Sequence, residues 1–394
     1  MHVDSSNDNS NDNNDTNKQQ QQKVSSETKK KKMLFSNTLL IAAASALLAE
    51  ASPLEKRDSC TLSGKTAGGG LSNCATVTVN NVEVPAGKTL DLTGLQDGAT
   101  VNFVGQVTFD YDEWVGPLVS ISGKNIKVVG KSGHLLDGDG ARWWDGKGDS
   151  GKKVKPKFMS LKLTGNSDVG GLQIKNTPIQ AISVNSCSDT VIHDVTIDNS
   201  DGDKDSLGHN TDGFDVGNVN NVTIENCHVY NQDDCIAVNS GTGVYFKNNY
   251  CSGGHGASIG SVGLRSNNVV DTVYFENNQI VNSDNGLRIK TIQKATGSVN
   301  NVHFLSNTIS GIRKFGIVVE TDYSSGSTTG TPGSKVPITN FEVDGLTGSV
   351  DSSAYRVKIL VAGASKWTWK DVDITGGSSF GSCTGIPSGS GASC

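Results

Sequence analysis

The chain is poor in what builds helices and membrane spans. Long-chain helix formers are sparse, proline is limited to 8 of 394 residues and charged residues make up only 19%. With 47 glycines and abundant Asn, Ser, Thr and Val, this composition argues against a helical bundle and for an all-β chain rich in turns. No apolar run is long enough to cross a bilayer; the longest, LLIAAASALL at residues 39–48, is half the required length. No set of Cys and His residues has zinc spacing, so neither a metal nor any other cofactor is expected. Positive charge is in deficit, at a formal net −6, which speaks against nucleic acid as a partner. If the substrate is anionic, the positive charge that meets it must be local.

What is present begins with a polar extension. Residues 1–32 are low-complexity sequence with nothing to bury and end in a basic run, Lys29, Lys30, Lys31 and Lys32. Met33 opens residues 33–51, which have the parts of a secretory signal: basic flank, short apolar stretch, and the small-residue site Ala49-Glu50-Ala51. Met33 is therefore a candidate initiator. Residues 52–57 close on Lys56-Arg57, a dibasic processing site that leaves a mature secreted domain at 58–394. All eight cysteines fall in that domain, as export to an oxidising compartment requires. Local pairing suggests Cys60 with Cys74, Cys235 with Cys251 and Cys383 with Cys394. Cys187 and Cys227 sit in apolar-patterned strands and read as buried thiols. Spacing alone does not fix the connectivity. Asn221-Val222-Thr223 is the one N-glycosylation sequon in this region.

The middle of the chain repeats. Val222-Thr223-Ile224-Glu225-Asn226 recurs as Val244-Tyr245-Phe246-Lys247-Asn248, Val273-Tyr274-Phe275-Glu276-Asn277 and Val302-His303-Phe304-Leu305-Ser306, at steps of 22, 29 and 29. Leu172-Gln173-Ile174-Lys175-Asn176 is an earlier, weaker copy. Each copy alternates apolar and polar residues, then breaks at a turn former, which describes a short strand with one buried face. Such strands with no helix between them imply a solenoid. A leucine-rich framework is missing and the repeat is too short for a propeller blade, so a parallel β-helix is expected, with coils about 4.8 Å apart. Asn226, Asn248 and Asn277 are expected to form a side-chain ladder up the stack. The cysteine-bearing ends are expected to cap it.

In a solenoid, residues one coil apart become neighbours. Asp212 is followed one coil length later by Asp233, with Asp234 beside it, and the same step past Asp234 reaches His255. Arg288, Lys290 and Tyr323 follow. Taken singly, an Asp in a turn is usually a solvated turn former, an Asp-Asp pair suits calcium, and Arg-x-Lys on a strand is an ordinary charged face. Their common register favours a cluster of three carboxylates and an imidazole on one face. Carboxylates crowded in this way suit glycoside hydrolysis, where one protonates the leaving oxygen and another activates water or attacks the sugar. Arg288 and Lys290 would bind a carboxylate on the sugar, which points to a uronic acid polymer.

HNTDGFDV (209–216), NQDDCIAVNSG (231–241), SGGHGASIGSVG (252–263) and NGLRIKT (285–291), with Tyr323, resemble the polygalacturonases of glycoside hydrolase family 28. The segment LDGDGARWW (136–144) resembles fungal members. The resemblance spans residues 58–394. It implies a right-handed parallel β-helix that cuts α-1,4 galacturonan bonds of pectin internally, with inversion. On this basis Asp233 is the general acid, and Asp212 and Asp234 hold and activate water. His255 supports protonation, Arg288 and Lys290 bind substrate carboxylates, Tyr323 lines the cleft and Asn210 orients the substrate or an aspartate. A monomer is implied, with plant inhibitor proteins as further partners. An exo-acting relative, a lyase on the same fold and a binding protein without catalysis are the alternatives. The chain departs from the family pattern at Ala257 and Leu264, at Met159-Ser160-Leu161-Lys162, and at residues 360–366, where a short Cys-to-Cys loop is replaced.

Overall fold

The computed structural model describes residues 58–324 and 326–394; the extension, the signal and the propeptide fall outside it. The described residues form a parallel β-helix of three strand stacks. Every pairing among them is parallel except that of Phe315–Ser324 with Ser327–Thr328. Among the described residues no helix is long and apolar enough to cross a membrane.

The repeated pentapeptides build one stack. Val219–Glu225, Gly241–Lys247, Val269–Glu276, Ser298–Leu305 and Ile338–Asp344 pair in order, so that Val222, Val244, Val273, Val302 and Phe341 lie in one inward column. Beside it Phe246, Phe275 and Phe304 stack through the interior, and Phe304 meets Phe341 of the first column, with ring centroids 5.2–5.5 Å apart. All four rings are fully buried, each contributing roughly 2–3 kcal/mol by removal from water. Polar partners at the alternate positions face out, where Tyr245, Tyr274 and His303 stack in turn.

Two expectations about this stack need correction. Asn226, Asn248 and Asn277 do not form the ladder. They are exposed and take left-handed backbone (φ 55°, 58° and 55°), which Asn tolerates, to turn the chain out of the strand. The ladder is one residue later. Asn249 Nδ2 donates to Asn278 Oδ1 at 3.1 Å, Asn278 Nδ2 donates to Asn307 Oδ1 at 2.9 Å, and Asn307 Nδ2 ends on the Phe275 carbonyl. These three side chains are buried and satisfy backbone groups that the turns leave unpaired. The weaker copy at 172–176 belongs to a different stack: Gln173–Lys175 pairs with Thr196–Asp198, which leads to His228–Tyr230. Period-2 alternation recurs on every side of a coil, so it marks a strand without saying which side.

Three cysteine pairs lie at bonding distance, with Cα separations of 5.7 Å (Cys60 and Cys74), 5.8 Å (Cys235 and Cys251) and 6.2 Å (Cys383 and Cys394). Cys187 and Cys227 are buried free thiols. Burial pushes the Cys227 thiol up to about 12. At the N-terminal end Asp58–Lys65 covers Cys74–Val84, and at the other end Ile386 and Ala392 pack on the core.

The stack that carries Asp234, Arg288, Lys290 and Tyr323 runs through Phe214–Gly217, Asp234–Val238, Gly256–Val262, Asn285–Ile292, Phe315–Ser324 and the second half of Thr347–Leu360. Ala257 fits its inward column between Ile236 and Leu287, fully buried, while Leu264 stands 65% exposed after the strand.

Candidate active site

The residues named from sequence converge on one cleft of about 730 Å³ on the outer face of that stack. Asn210, Asp212, Asp233, Asp234, His255, Arg288, Lys290 and Tyr323 all line it. The backbone explains the convergence. Asp234 O accepts from Gly213 N at 2.9 Å, and Asp233 O accepts from His255 N at 2.8 Å, which draws three successive turns together. A Cβ on Gly254 would collide with the Asp233 carbonyl, so the approach requires glycine there. The register differs in one detail from simple counting: Asp234 is opposite Gly256, and His255 turns back onto Asp233.

Each carboxylate has its own environment. Asp233 Oδ1 lies 2.9 Å from His255 Nδ1, and its Oδ2 accepts from Asn210 Nδ2 at 3.0 Å. Asn210 Oδ1 also accepts from Asp149 N, which ties the Gly148–Ser150 turn to the site. Burial alone would raise the Asp233 carboxyl, but the His255 hydrogen bond and charge, with Lys290, more than offset it and hold it at about 2. The same partnership raises His255: burial opposes its charge, and Asp233, Asp234 and Asp284 outweigh that opposition. Asp234 accepts from Lys290 Nζ at 2.6 Å and from Ser258 Oγ at 2.7 Å. Asp212 lacks such donors. Burial, then the charges of Asp233, Asp215 and Asp234, push its carboxyl well above the ordinary range, against a pull from Lys290.

On the cationic side, Arg288 Cζ and Lys290 Nζ each lie 5.5 Å from the Tyr323 ring centroid. This is cation–π range, and it fixes both cations along one wall. Ligand atoms of Asp233, Asp234 and His255 come within 4.8 Å of one another, a metal-like cluster. A dication there would have to displace the Lys290 ammonium from Asp234 and the His255 ring nitrogen from Asp233, so the donor set fits a proton-handling site better than a metal site.

Sequence reasoning passed over several residues. Asp215 lines the same cleft, and burial is the main reason its carboxyl is raised to about 6. Its outward place in the alternating Phe214-Asp215-Val216 was the available signal. Asp284 receives Arg313 Nε at 2.9 Å and Lys314 Nζ at 2.7 Å, and stands 3.8 Å from His255 Nε2. Ser258, Glu320 and Lys358 also belong to the site, and Lys358 falls outside any regular coil spacing. Asn221 stands apart on the exposed surface, its amide donating to Asp189 at 2.8 Å.

The chain is similar to known proteins in sequence and in fold. Polygalacturonase of Saccharomyces cerevisiae is 60% identical over 348 residues, covering 88% of this chain and 96% of the relative. Endopolygalacturonase B of Emericella nidulans is 54% identical over 349 residues, covering 88% and 94%. The solved structure of endopolygalacturonase I from Stereum purpureum, complexed with two galacturonate, superposes with a TM-score of 0.75 at 39% identity, covering 81% of this chain and 95% of that one. The model of glycosyl hydrolases family 28 matches residues 74–394. By sequence, and with a matching fold, the chain belongs to family 28 of the glycosyl hydrolases.

Proposed function

We propose that the protein hydrolyses α-1,4 bonds within polygalacturonate, the acidic backbone of pectin. The carrying observation is the union in one cleft of three aspartates with Arg288 and Lys290. The cleft lining draws on six successive strands of one stack, about 24 Å at about 4.8 Å per coil. Asp149, Lys157 and Gln180 extend it on one side of the carboxylates, and Arg288 to Lys358 on the other. A groove reaching both ways from the reacting groups suits the interior of a polymer. The names of the relatives and the galacturonate in the Stereum purpureum complex support the same substrate.

The general acid is Asp233 acting as a unit with His255. Asp233 is ionised in the free site and His255 readily holds a proton, so the pair carries one transferable proton. As the glycosidic oxygen accumulates charge, the proton passes through Asp233 to it. Lys290 and Ser258 hold Asp234 as an acceptor for the proton of the attacking water, and Asp212 holds that water in place. The acid unit thus loses one proton and Asp234 gains one. Positioned acid catalysis of this kind supplies typically about 10²–10⁴-fold. Attack on the face opposite the leaving group gives inversion, as the family resemblance implies. Arg288 and Lys290 bind sugar carboxylates at the scissile bond, with Tyr323 lining the wall.

The catalytic domain, 58–394, is exported by the signal at 33–51, trimmed after Lys56-Arg57 and works as a monomer with no cofactor. Asn221 is its glycosylation site, and plant inhibitor proteins are its natural antagonists. The test is product analysis on polygalacturonate with a chelator. Saturated oligomers of mixed length are expected. Monomer alone would make the enzyme exo-acting, unsaturated products would make it a lyase, and no product would leave a binding role.

A further inference from the structure

Arg288, assigned above to bind a sugar carboxylate, already faces a carboxylate of its own protein. Its Nη2 lies 2.9 Å from Glu320 Oε1, and the Glu320 side chain is only 3% exposed. A pair of this kind is neutral, and a neutral pair has little attraction for a uronate. The other oxygen of Glu320 accepts from Lys358 Nζ at 2.9 Å. Register explains the arrangement. Arg288, Val318 and Lys358 occupy one outward column on three successive strands. Glu320 lies two residues beyond Val318 on the middle strand and so faces the same way. The cation below and the cation above both lean over Val318 to reach it.

Two further features set the trio apart from an ordinary structural network. Lys358 Nζ is anchored over Phe315 and Phe380, 5.2 and 5.7 Å from their centroids, and these rings hold it toward Glu320. Arg288 Nε, by contrast, is a buried donor with no partner. Arg288 commits Nη2 to Glu320 and presents the rest of its guanidinium edge to the cleft it lines. Arg288 and Lys358 together also hold the Glu320 carboxyl below its ordinary range against the effect of burial, so its negative charge persists.

We infer that Lys358 is a specificity-determining residue, acting through Glu320 to preserve one unit of positive charge at Arg288 for a sugar carboxylate. The trio carries two positive charges and one negative, and the surplus is available to the ligand at the Arg288 guanidinium, which lines the cleft. Lys358 is a positioning residue: it touches Glu320, and Arg288 meets the substrate. The inference rests on the polygalacturonate reading and concerns recognition of the free acid over its uncharged methyl ester.

The experiment compares wild-type enzyme, Lys358→Met, Lys358→Arg, Glu320→Gln and the double variant Lys358→Met/Glu320→Gln on polygalacturonate at low and moderate salt. Thermal unfolding is followed alongside. With Lys358→Met, Glu320 neutralises Arg288, so KM is expected to rise about 10-fold with kcat within about threefold, and the salt dependence of KM is expected to weaken. Lys358→Arg should stay near wild type. In the double variant the surplus charge returns to Arg288, and KM should fall back to within about threefold of wild type. The double variant also removes the orphaned Glu320 charge, so it reads out even if Lys358→Met fails to fold. A folded Lys358→Met with wild-type KM, or a double variant whose KM stays raised, would overturn the inference. Wild-type enzyme that leaves polygalacturonate intact would overturn it together with the substrate reading, a result distinct from either.

Discussion

Lys290 Nζ stands 2.6 Å from Asp234 Oδ2, an ion pair between residues 56 apart in sequence with both side chains more than nine-tenths buried. The lysine read from sequence as a substrate ligand is therefore also what keeps a buried carboxylate in place. Lys290→Ala should act twice. KM on polygalacturonate should rise through loss of a carboxylate partner, and kcat should fall at least about 10-fold because Asp234 loses its counterion. Stability should drop by about 3–5 kcal/mol, the usual effect of breaking one side of a buried pair. Steady-state kinetics with urea unfolding checks both. An unchanged KM would remove Lys290 from substrate binding.

Asp233→Asn should abolish hydrolysis, by about 10³-fold or more, while the protein still folds, because Asn210 and His255 can still hydrogen-bond an amide. Circular dichroism and reducing-end release read the two halves. Substantial turnover by a well-folded variant would move the general acid elsewhere, with Asp212 the first candidate since burial raises its carboxyl well above the ordinary range.

The Asp233 and His255 unit predicts a pH profile. Activity needs its proton, so kcat/KM should fall as pH rises through the folded value of His255, above its ordinary 6.5. His255→Gln should erase that limb; a basic limb that stays where it was would mean that another group sets it. Stability follows the same shifts. The raised His255 contributes fully below 6.5 and loses its contribution as pH rises through the folded value. The depressed Asp233 contributes above its ordinary 3.8 and loses its contribution as pH falls toward about 2.

Asp215 works in the opposite sense. Its carboxyl is raised to about 6, so the folded state favours the neutral acid, and stability is lost as pH rises from 3.8 through that value. Asp215→Asn should therefore be more stable than wild type at pH 7, by the order of 1–2 kcal/mol for this partly exposed side chain, and level with wild type at pH 4. Equal melting temperatures at both pH values would show that Asp215 carries no strain.

Asn278→Leu should be costly although Asn278 is far from the cleft. It would take the side-chain acceptor from the backbone and amide N–H groups of Asn249 and the side-chain donor from the Phe246 carbonyl, all in the core, lowering stability by about 2–4 kcal/mol. Activity of the remaining folded protein should be near wild type. Denaturation midpoints and specific activity test the two halves separately.

The recurrence of Val-x-Phe/Ile-x-Asn determined the solenoid, because a strand with one buried face must repeat to cover itself. Wherever coil length stayed nearly constant, counting also brought Asp212, Asp233, Asp234 and His255 together. It misjudged the asparagine ladder by one position, because a left-handed turn residue and the buried amide after it look alike in a run of Asn-Asn. It missed Lys358, because the coil from Val318 to its partner Lys358 is longer than the coils between Asp215 and Val318 that carry the rest of the site, and spacing no longer reports neighbours. Only the tertiary structure decided in which direction each carboxylate is shifted. Asp212 and Asp233 are the same residue type one coil apart, yet one is raised and the other depressed. Ionisation depends on lost water and on the donors that surround each oxygen, and those are fixed when distant turns close over the site.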